Sequence, residues 1–287
     1  MTVEGLQKLP GFRLPDATQF PIIVLIGANG TGKTYLAASA TKVSELCPVL
    51  LITVGKSDHT LSEKPDIDLA QLTVLDPLLH MRMSNLSNAW DAIHQVNRRV
   101  LSLRPFPFKT VIYDGLTQMQ FHAEKRAAEQ TPFHEGTSVL LELTQQGDYR
   151  LAKERILDEL LQFEEVCEKS RALLIMIGQE RLIRVISEGE AQVDEKGQEV
   201  KTYRSTIDLM PSLIQPVLGM AGIVGRMRAA GGRFILETRR SQYLDAKDTT
   251  GYLGSRIENP TMAKLVGLLR KKGEGLRVSK DGREEET

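Results

Sequence analysis

The amino-acid sequence predicts an α/β fold in which a mostly parallel central sheet is flanked by helices. Two observations predict it. Short runs that are apolar throughout alternate with longer segments in which apolar residues recur at helical spacing. Such alternation is typical of a parallel sheet that is covered on both faces. In addition, a glycine-rich motif stands between the first apolar run and the helical segment that follows it.

Five apolar runs predict buried strands. They lie at 20–26, 48–54, 72–75, 109–114 and 172–177. Helical spacing predicts four helices, which lie at 35–40, 85–103, 147–170 and 259–271. Beyond the fifth strand, alternation around Gly231-Gly232 predicts a C-terminal β-hairpin over 221–238, and Asp194–Gly197 predicts a second hairpin turn.

The composition is that of a folded globular protein, with 41% hydrophobic and 26% charged residues. Lys and Arg together number 37, as do Asp and Glu. The resulting zero net charge argues against nucleic-acid binding by bulk charge and leaves only local patches. We predict a single domain over 1–272. Residues 273–287 are charged, have little to bury and are predicted to form a disordered tail.

The two cysteines, Cys47 and Cys167, lack metal-ligand spacing and are interpreted as buried thiols in a reducing compartment. No apolar run is long enough to span a membrane. The first residues lack the pattern of a secretory signal. The expected location is therefore the cytoplasm, without a membrane partner.

Residues 27–34 read Gly-Ala-Asn-Gly-Thr-Gly-Lys-Thr and fit the pattern of a phosphate-binding P-loop. Glycines let backbone N–H groups approach a polyphosphate closely, and the helix start adds a positive dipole end. Lys33 can reach the β- and γ-phosphates, while the Thr34 hydroxyl can ligate Mg²⁺. The residues predicted to contact the nucleotide are Gly27, Ala28, Asn29, Gly30, Thr31, Gly32, Lys33, Thr34 and Tyr35.

Asp114 ends the fourth predicted strand and resembles a Walker B aspartate, which would hold Mg²⁺ together with Thr34. Gly115 follows it, where many ATPases carry a water-activating glutamate. Gln179 and Glu180 come directly after the fifth predicted strand, at the sheet edge where ligands bind. Gln179 is a candidate γ-phosphate sensor, and the alternative is that it caps a loop or helix.

Basic residues crowd the region of the C-terminal hairpin. Alternation places Arg226 and Arg228 on one face, which would meet DNA phosphates, a neighbouring subunit's ATP or only solvent. The other basic residues of this region are Arg233, Arg239, Arg240 and Lys247. On the helix at 147–170, one acidic set is interpreted as the solvated face. It comprises Glu154, Asp158, Glu159, Glu164, Glu165 and Glu168.

Several short segments resemble the RecA-like ATPases of bacteriophages, which act as small recombinases or single-strand annealing proteins. The resemblance runs from about Leu9 to Leu253. It rests on 27–34, 110–117, 146–149, 173–180, 222–224, Arg233 and 246–251.

The resemblance implies a RecA-like P-loop core, ATP with Mg²⁺, single-stranded DNA and a homo-oligomeric ring or filament. It also implies a host cytoplasm, and a single-strand DNA-binding protein as a further partner. Such proteins usually carry a glutamate after the second strand. Residues 53–58 hold none and offer only Asp58, so the expectation is either slow hydrolysis or nucleotide binding that serves only as a switch. Lys247 is the candidate for a cation that reaches a neighbour's γ-phosphate, and Arg239 or Arg240 is the second choice.

The segments after the fourth and fifth strands, near 117–145 and 181–206, are predicted DNA-binding loops. Their cations would follow a phosphate backbone, and their aromatic rings would stack on bases. The cations are Lys125, Arg126, Arg181, Arg184, Lys196, Lys201 and Arg204, and the aromatic residues are Phe121, Phe133 and Tyr203.

Two other functions stay open: a P-loop motor of the helicase or packaging type, and a small-molecule kinase in which residues 226–240 would form an arginine-rich lid. A GTPase is disfavoured because the sequence lacks an Asn-Lys-x-Asp motif.

Overall fold

The structure, a computed structural model, describes residues 20–55, 61–83, 88–130, 146–185 and 202–275. Within these residues ten strands form a sheet with helices on both faces. The strands are β1 (Ile23–Gly27), β2 (Val49–Thr53), β3 (Leu72–Leu75), β4 (Thr110–Asp114), β5 (Leu173–Val185), β6 (Thr202–Ile207), β7 (Ile223–Ala230), β8 (Arg233–Glu237), β9 (Lys247–Asp248) and β10 (Arg256–Glu258).

Seven α-helices lie within the described residues. They are α1 (Lys33–Ala38), α2 (Pro77–Met83), α3 (Ala89–Leu101), α4 (Leu116–Gln130), α5 (Gln146–Ser170), α6 (Pro211–Met220) and α7 (Met262–Gly275). Local chemistry sets their starts: the Asn88 side chain accepts a hydrogen bond from the backbone N–H of Trp90 and caps α3, and α6 begins at Pro211. None of these helices is long and apolar enough to cross a membrane.

The strands follow the order β10-β8-β7-β1-β5-β4-β2-β3 across the sheet, with β6 on β5 and β9 on β7. All pairs from β7 through β1, β5, β4 and β2 to β3 are parallel. The predicted fold class is therefore confirmed. The predicted hairpin is also present as β7–β8, but β7 pairs in parallel with β1. The hairpin thus continues the central sheet, because the apolar start of β7 is buried beside β1.

The sheet separates two apolar clusters, as expected for strands that are apolar on both faces. In β1, Val24 and Ile26 belong to one cluster, together with residues of α3, α4, α5 and α6. Ile23 and Leu25 belong to the other, which includes residues of α1 and α7. Both clusters converge on β1, so the loop that leaves β1 is anchored from both sides.

Parts of the two predicted DNA-binding loops form regular structure instead. Residues 116–130 are helix α4, because Leu116, Met119, Ala123 and Ala127 are buried at helical spacing. Residues 181–185 continue β5, which pairs there with β6 in antiparallel register. The intervening residues 131–145 and 186–201, the predicted turn at 194–197 and residues 276–287 lie outside the described residues.

Candidate nucleotide-binding site

The P-loop connects the end of β1 to the start of α1. Gly30 and Gly32 have φ angles of 74° and 83°, in the left-handed region that favours glycine. A Cβ atom built on Gly27 would lie 2.3 Å from the carbonyl oxygen of Met227, so a side chain does not fit there. The glycines of the motif therefore serve both the turn and the close packing against β7.

Lys33 is the buried cation of this loop. Its Nζ donates hydrogen bonds to the carbonyl oxygens of Gly27, at 2.7 Å, and Ala28, at 2.8 Å. Burial lowers the pKa of Lys33, while the nearby carboxylates of Asp114 and Glu180 act in the opposite direction. The ammonium group therefore donates to backbone carbonyl oxygens of the loop, which another acceptor can replace.

Thr34 and Asp114 meet although 80 residues separate them in the sequence. The Thr34 hydroxyl donates a 2.6 Å hydrogen bond to Oδ2 of Asp114, at the carboxyl end of β4. A hydroxyl and a carboxylate side by side match the oxygen ligands that Mg²⁺ prefers. No three acidic, histidine or cysteine residues of the described chain cluster around a point. Among the described residues, Thr34 and Asp114 are therefore the pair that would hold Mg²⁺.

A cavity of about 960 Å³ opens above these groups, at the carboxyl ends of β1, β2, β4 and β5. This is the edge at which open α/β sheets bind ligands. Its walls come from the P-loop, the sheet edge and two later loops. The lining residues are 29–35, Val54, Gly55, Leu61, Lys64, Asp66, Asp114, Gly115, Gln118, 177–179, Phe234, 259–261 and Lys264.

A family model described as AAA domain matches residues 19–250, which is most of the chain. The chain belongs to the AAA domain family. The match identifies an AAA-type P-loop ATPase, a class that binds ATP together with Mg²⁺. A comparison with curated proteins found no match. The narrower resemblance to RecA-like recombinases stays a prediction.

One wall of the AAA domain's cavity is aromatic. The rings of Tyr35 and Phe234 lie 6.4 Å apart between centroids, at an angle of 42°. The Tyr35 hydroxyl hydrogen-bonds to Asp66, and burial raises the pKa of Tyr35 to about 12. Asn259 accepts a hydrogen bond from the backbone N–H of Phe234, and Lys264 donates to the carbonyl oxygen of Asn259. The wall is thus tied to the loop that precedes α7.

Two glutamine side chains line the cavity on either side of Asp114. Gln179 lies within β5, where we predicted it to follow the strand; parallel pairing with β1 ends at this residue, and antiparallel pairing with β6 begins at Glu180. Gln118 lies in the first turn of α4, four residues after Asp114. The sequence interpretation included Tyr35 but missed Gln118 and the second ring of the aromatic wall, Phe234. Gln118 could have been found from the sequence, because it lies about one helical turn after the Walker B aspartate.

Lys247 lies away from this cavity. Its strand β9 pairs with β7 at Val224, which is in register with Val24 near the start of β1. The P-loop follows the other end of β1. Lys247 donates to the carbonyl oxygens of Leu218, at 3.3 Å, and Gly219, and shares a second cavity of about 620 Å³ with Arg239 and Arg240. A role for Lys247 at the P-loop of its own chain is excluded, and the predicted role in a neighbouring subunit stays a prediction.

Arg226 and Arg228 share one face of β7, as the alternation predicted. Arg226 forms a 2.7 Å ion pair with Glu180, and Arg228 forms a 2.9 Å ion pair with Glu237. Arg226 also lies 3.5 Å from Glu237. The charges of this face are therefore compensated within the chain, which reduces its attraction for DNA phosphates.

Proposed function

We propose that this AAA domain hydrolyses ATP with Mg²⁺ and acts on single-stranded DNA in recombination, annealing or repair. The observation that carries the ATPase part is the pairing of Thr34 with Asp114 beside the buried Lys33. These groups combine two oxygen ligands for a hard cation with an ammonium group for phosphate. RecA-like relatives supply the DNA part through the resemblance described above.

Lys33 is already positioned for the phosphates. A polyphosphate in the loop would replace the carbonyl oxygens of Gly27 and Ala28 as acceptors for its ammonium group. The added negative charge would favour the charged form of Lys33 and offset the effect of burial on its pKa. Thr34 and Asp114 would hold Mg²⁺, which would supply positive charge to offset the negative charge that develops during hydrolysis.

The base of the nucleotide is proposed to lie by the aromatic wall. Tyr35 follows directly after the P-loop, and its ring packs near that of Phe234. Phe234 also contacts the loop from the other side, since a Cβ on Gly32 would lie 3.1 Å from its ring. Aromatic faces that line the same cavity as a phosphate-binding loop suit a flat base.

The hairpin formed by β5 beyond Glu180 and β6 is the proposed DNA contact. Leu182, Ile183 and Tyr203 are exposed on it, with Tyr203 at 46% exposure. Phe121 on α4 is 62% exposed. Exposed aromatic rings support base stacking, which contributes about 1–3 kcal/mol per base.

Ion pairs partly neutralise the positive charge of the proposed DNA-binding surface. Arg181 lies 3.8 Å from Asp208, and Arg204 hydrogen-bonds to Asp245. Arg126 pairs with Asp91 at 3.0 Å. Stacking is therefore expected to contribute more than charge, so binding should fall only moderately as salt rises. Lys196, Lys201 and Phe133 of the predicted set lie outside the described residues.

The test compares the unmodified protein with Lys33→Ala and with Lys42→Ala, which removes an exposed lysine just beyond α1. Lys33→Ala is expected to weaken ATP·Mg binding by about ten- to a hundredfold, because a charge-assisted contact is lost. Lys42→Ala should bind normally in the same calorimetric titration. Unchanged affinity of a folded Lys33→Ala protein would contradict nucleotide binding at the P-loop.

The DNA part is tested by fluorescence anisotropy with a labelled single-stranded oligonucleotide, with and without ATP. Binding should tighten with ATP and weaken in Tyr203→Ala, while the exposed Tyr149 on α5 provides the matched control Tyr149→Ala. Failure to bind at low salt with ATP present would contradict the DNA role. ATP-driven duplex unwinding would instead favour a motor, and phosphoryl transfer to a metabolite would favour a kinase.

A further inference from the structure

The carboxylates that line the nucleotide cavity within the described residues already have partners. Asp114 accepts the hydrogen bond of Thr34, and Asp66 is bonded to Tyr35 at the aromatic wall. Val54 and Gly55, which follow β2 and line the cavity, add no carboxylate there. The described part of the site therefore needs another group to direct a water molecule.

Gln118 occupies the space beside Gly55. A Cβ built on Gly55 would lie 3.6 Å from Cγ and 3.9 Å from Cδ of Gln118. The Gln118 side chain is half-buried and lines the cavity, and its amide has no hydrogen-bond partner among the described residues. Its neighbour Gln120 differs, since Gln120 bonds both Glu124 and the backbone of Met210. Gln118 thus has a free donor and a free acceptor that face the cavity.

The order of the strands places Gln118 on the attacking side. Across the cavity the P-loop follows β1, Gln179 lies on β5, Asp114 ends β4 and Gly55 follows β2. A phosphoryl group is attacked in line, from the side opposite the leaving oxygen. Since the P-loop encloses the phosphates at the β1 side, the attacking side faces β2, where Gln118 lies.

We propose that Gln118 orients the water that attacks the γ-phosphate, an inference that rests on the proposed ATPase function. Its amide oxygen accepts a hydrogen bond from this water, and its N–H group donates to an oxygen of the phosphoryl group as that group is transferred. The water oxygen forms a bond to phosphorus as the bond to the β–γ bridging oxygen breaks. ADP leaves with that electron pair, and the water proton ends on the released phosphate. An amide positions water without taking its proton, which fits slow hydrolysis.

The first experiment measures single-turnover hydrolysis and calorimetric ATP·Mg binding for the unmodified protein and for Gln118→Ala. Gln95→Ala is the control, because Gln95 is an exposed glutamine of α3 outside the cavity. Gln118→Ala is expected to lower turnover by about 10- to 100-fold, with ATP affinity within about twofold of the parent. Asp58, the alternative that the sequence offers, lies outside the described residues.

The second measurement separates a role in the reaction from a role in folding. Gln118→Ala should weaken the complex with ADP and aluminium fluoride, which mimics the transferring phosphoryl group. It should leave the complex with ADP and beryllium fluoride, which mimics bound ATP, unchanged. Equal weakening of both complexes, or parent turnover in Gln118→Ala, would overturn the role of Gln118. Absence of hydrolysis by the unmodified protein is a separate result, which would overturn the proposed ATPase function and this inference with it.

Discussion

Tyr113 and Asp114 are adjacent in β4, yet they belong to two polar clusters on opposite sides of the sheet. Asp114 meets Thr34 at the open nucleotide cavity. Tyr113 is fully buried on the other side, where its hydroxyl accepts a hydrogen bond from Asn97 at 3.2 Å. Both clusters contain buried charged side chains, so burial alone does not distinguish a site that binds ligand from one that supports the fold.

The cluster around Tyr113 lies between β4 and the helices α3 and α5, with His94 exposed at its edge. Asn97 of α3 donates a 2.8 Å hydrogen bond to Glu159 of α5, and His94 also bonds to Glu159. Burial and the nearby carboxylate of Glu159 raise the pKa of Tyr113. These contacts link α3, α5 and β4 through groups that have no opening to the cavity above the P-loop.

The two clusters differ in whether a bound ligand can replace the partners of the buried charged side chain. Lys33 is held by backbone carbonyl oxygens that a phosphate can replace, whereas Glu159 is held by two side chains from the helix that packs against it. A replaceable partner next to an open cavity indicates ligand binding. A closed set of side-chain partners indicates a structural network.

The largest expected effect is the loss of turnover in Asp114→Asn. The amide keeps the shape of the side chain but removes the charge that attracts Mg²⁺. Hydrolysis should fall by about 100-fold, while the unfolding midpoint in urea changes little. Parent turnover across a Mg²⁺ titration would show that the cluster at the open cavity does not hold the metal.

A second prediction tests whether the cluster at the nucleotide cavity is complete within one chain or needs Lys247 of a neighbouring subunit. Lys33→Ala and Lys247→Ala proteins should each be inactive, because one lacks the phosphate contact and the other the cation offered to a neighbour. Mixed assemblies contain some interfaces with both residues intact and should regain part of the activity. Full activity of Lys247→Ala alone would refute a shared site. Lys264→Ala cannot take the place of Lys247→Ala in this test, because Lys264 lines the cavity of its own chain.

The smallest effect is expected from Glu159→Gln in the closed cluster. The amide cannot accept hydrogen bonds from both His94 and Asn97 as the carboxylate does, so the free energy of unfolding should fall by about 1–3 kcal/mol. ATP affinity and turnover per folded molecule should remain at the parent value. Glu154→Gln, on the exposed side of α5, is the control for chemical denaturation. A loss of turnover without a loss of stability would contradict the structural interpretation.

The P-loop could be predicted because its residues are contiguous and their spacing alone specifies the turn. Asp114 could be predicted as well, since apolar runs place the strands and the sheet aligns their ends. Tyr35 of the aromatic wall could be predicted because it follows the P-loop directly. Phe234 and Asn259 could not, because they reach the cavity through the pairing of β7, β8 and β10.

One error was avoidable. We interpreted Glu159 as part of a solvated face, but it is buried. It lies three residues after Ile156 and four before Phe163, both buried on the same side of α5. Helical spacing therefore placed Glu159 on the packed face of α5. Its charge suggested exposure to solvent, because its partners His94 and Asn97 come from another helix and could not be seen in the sequence of α5.

Strand β5 is a single element of 13 residues that passes from the middle of the parallel sheet into the projecting hairpin. From Gln179 to Val185 it extends about 20 Å at the usual rise per residue. We expect such a strand to carry a tilt at the nucleotide edge of the sheet into the segment that pairs with β6. A tilt of about 5° at Gln179 would displace the far end by about 2 Å over that length. Small movements around a γ-phosphate would therefore be converted into a larger swing of Leu182, Ile183 and Tyr203 without any refolding of the hairpin.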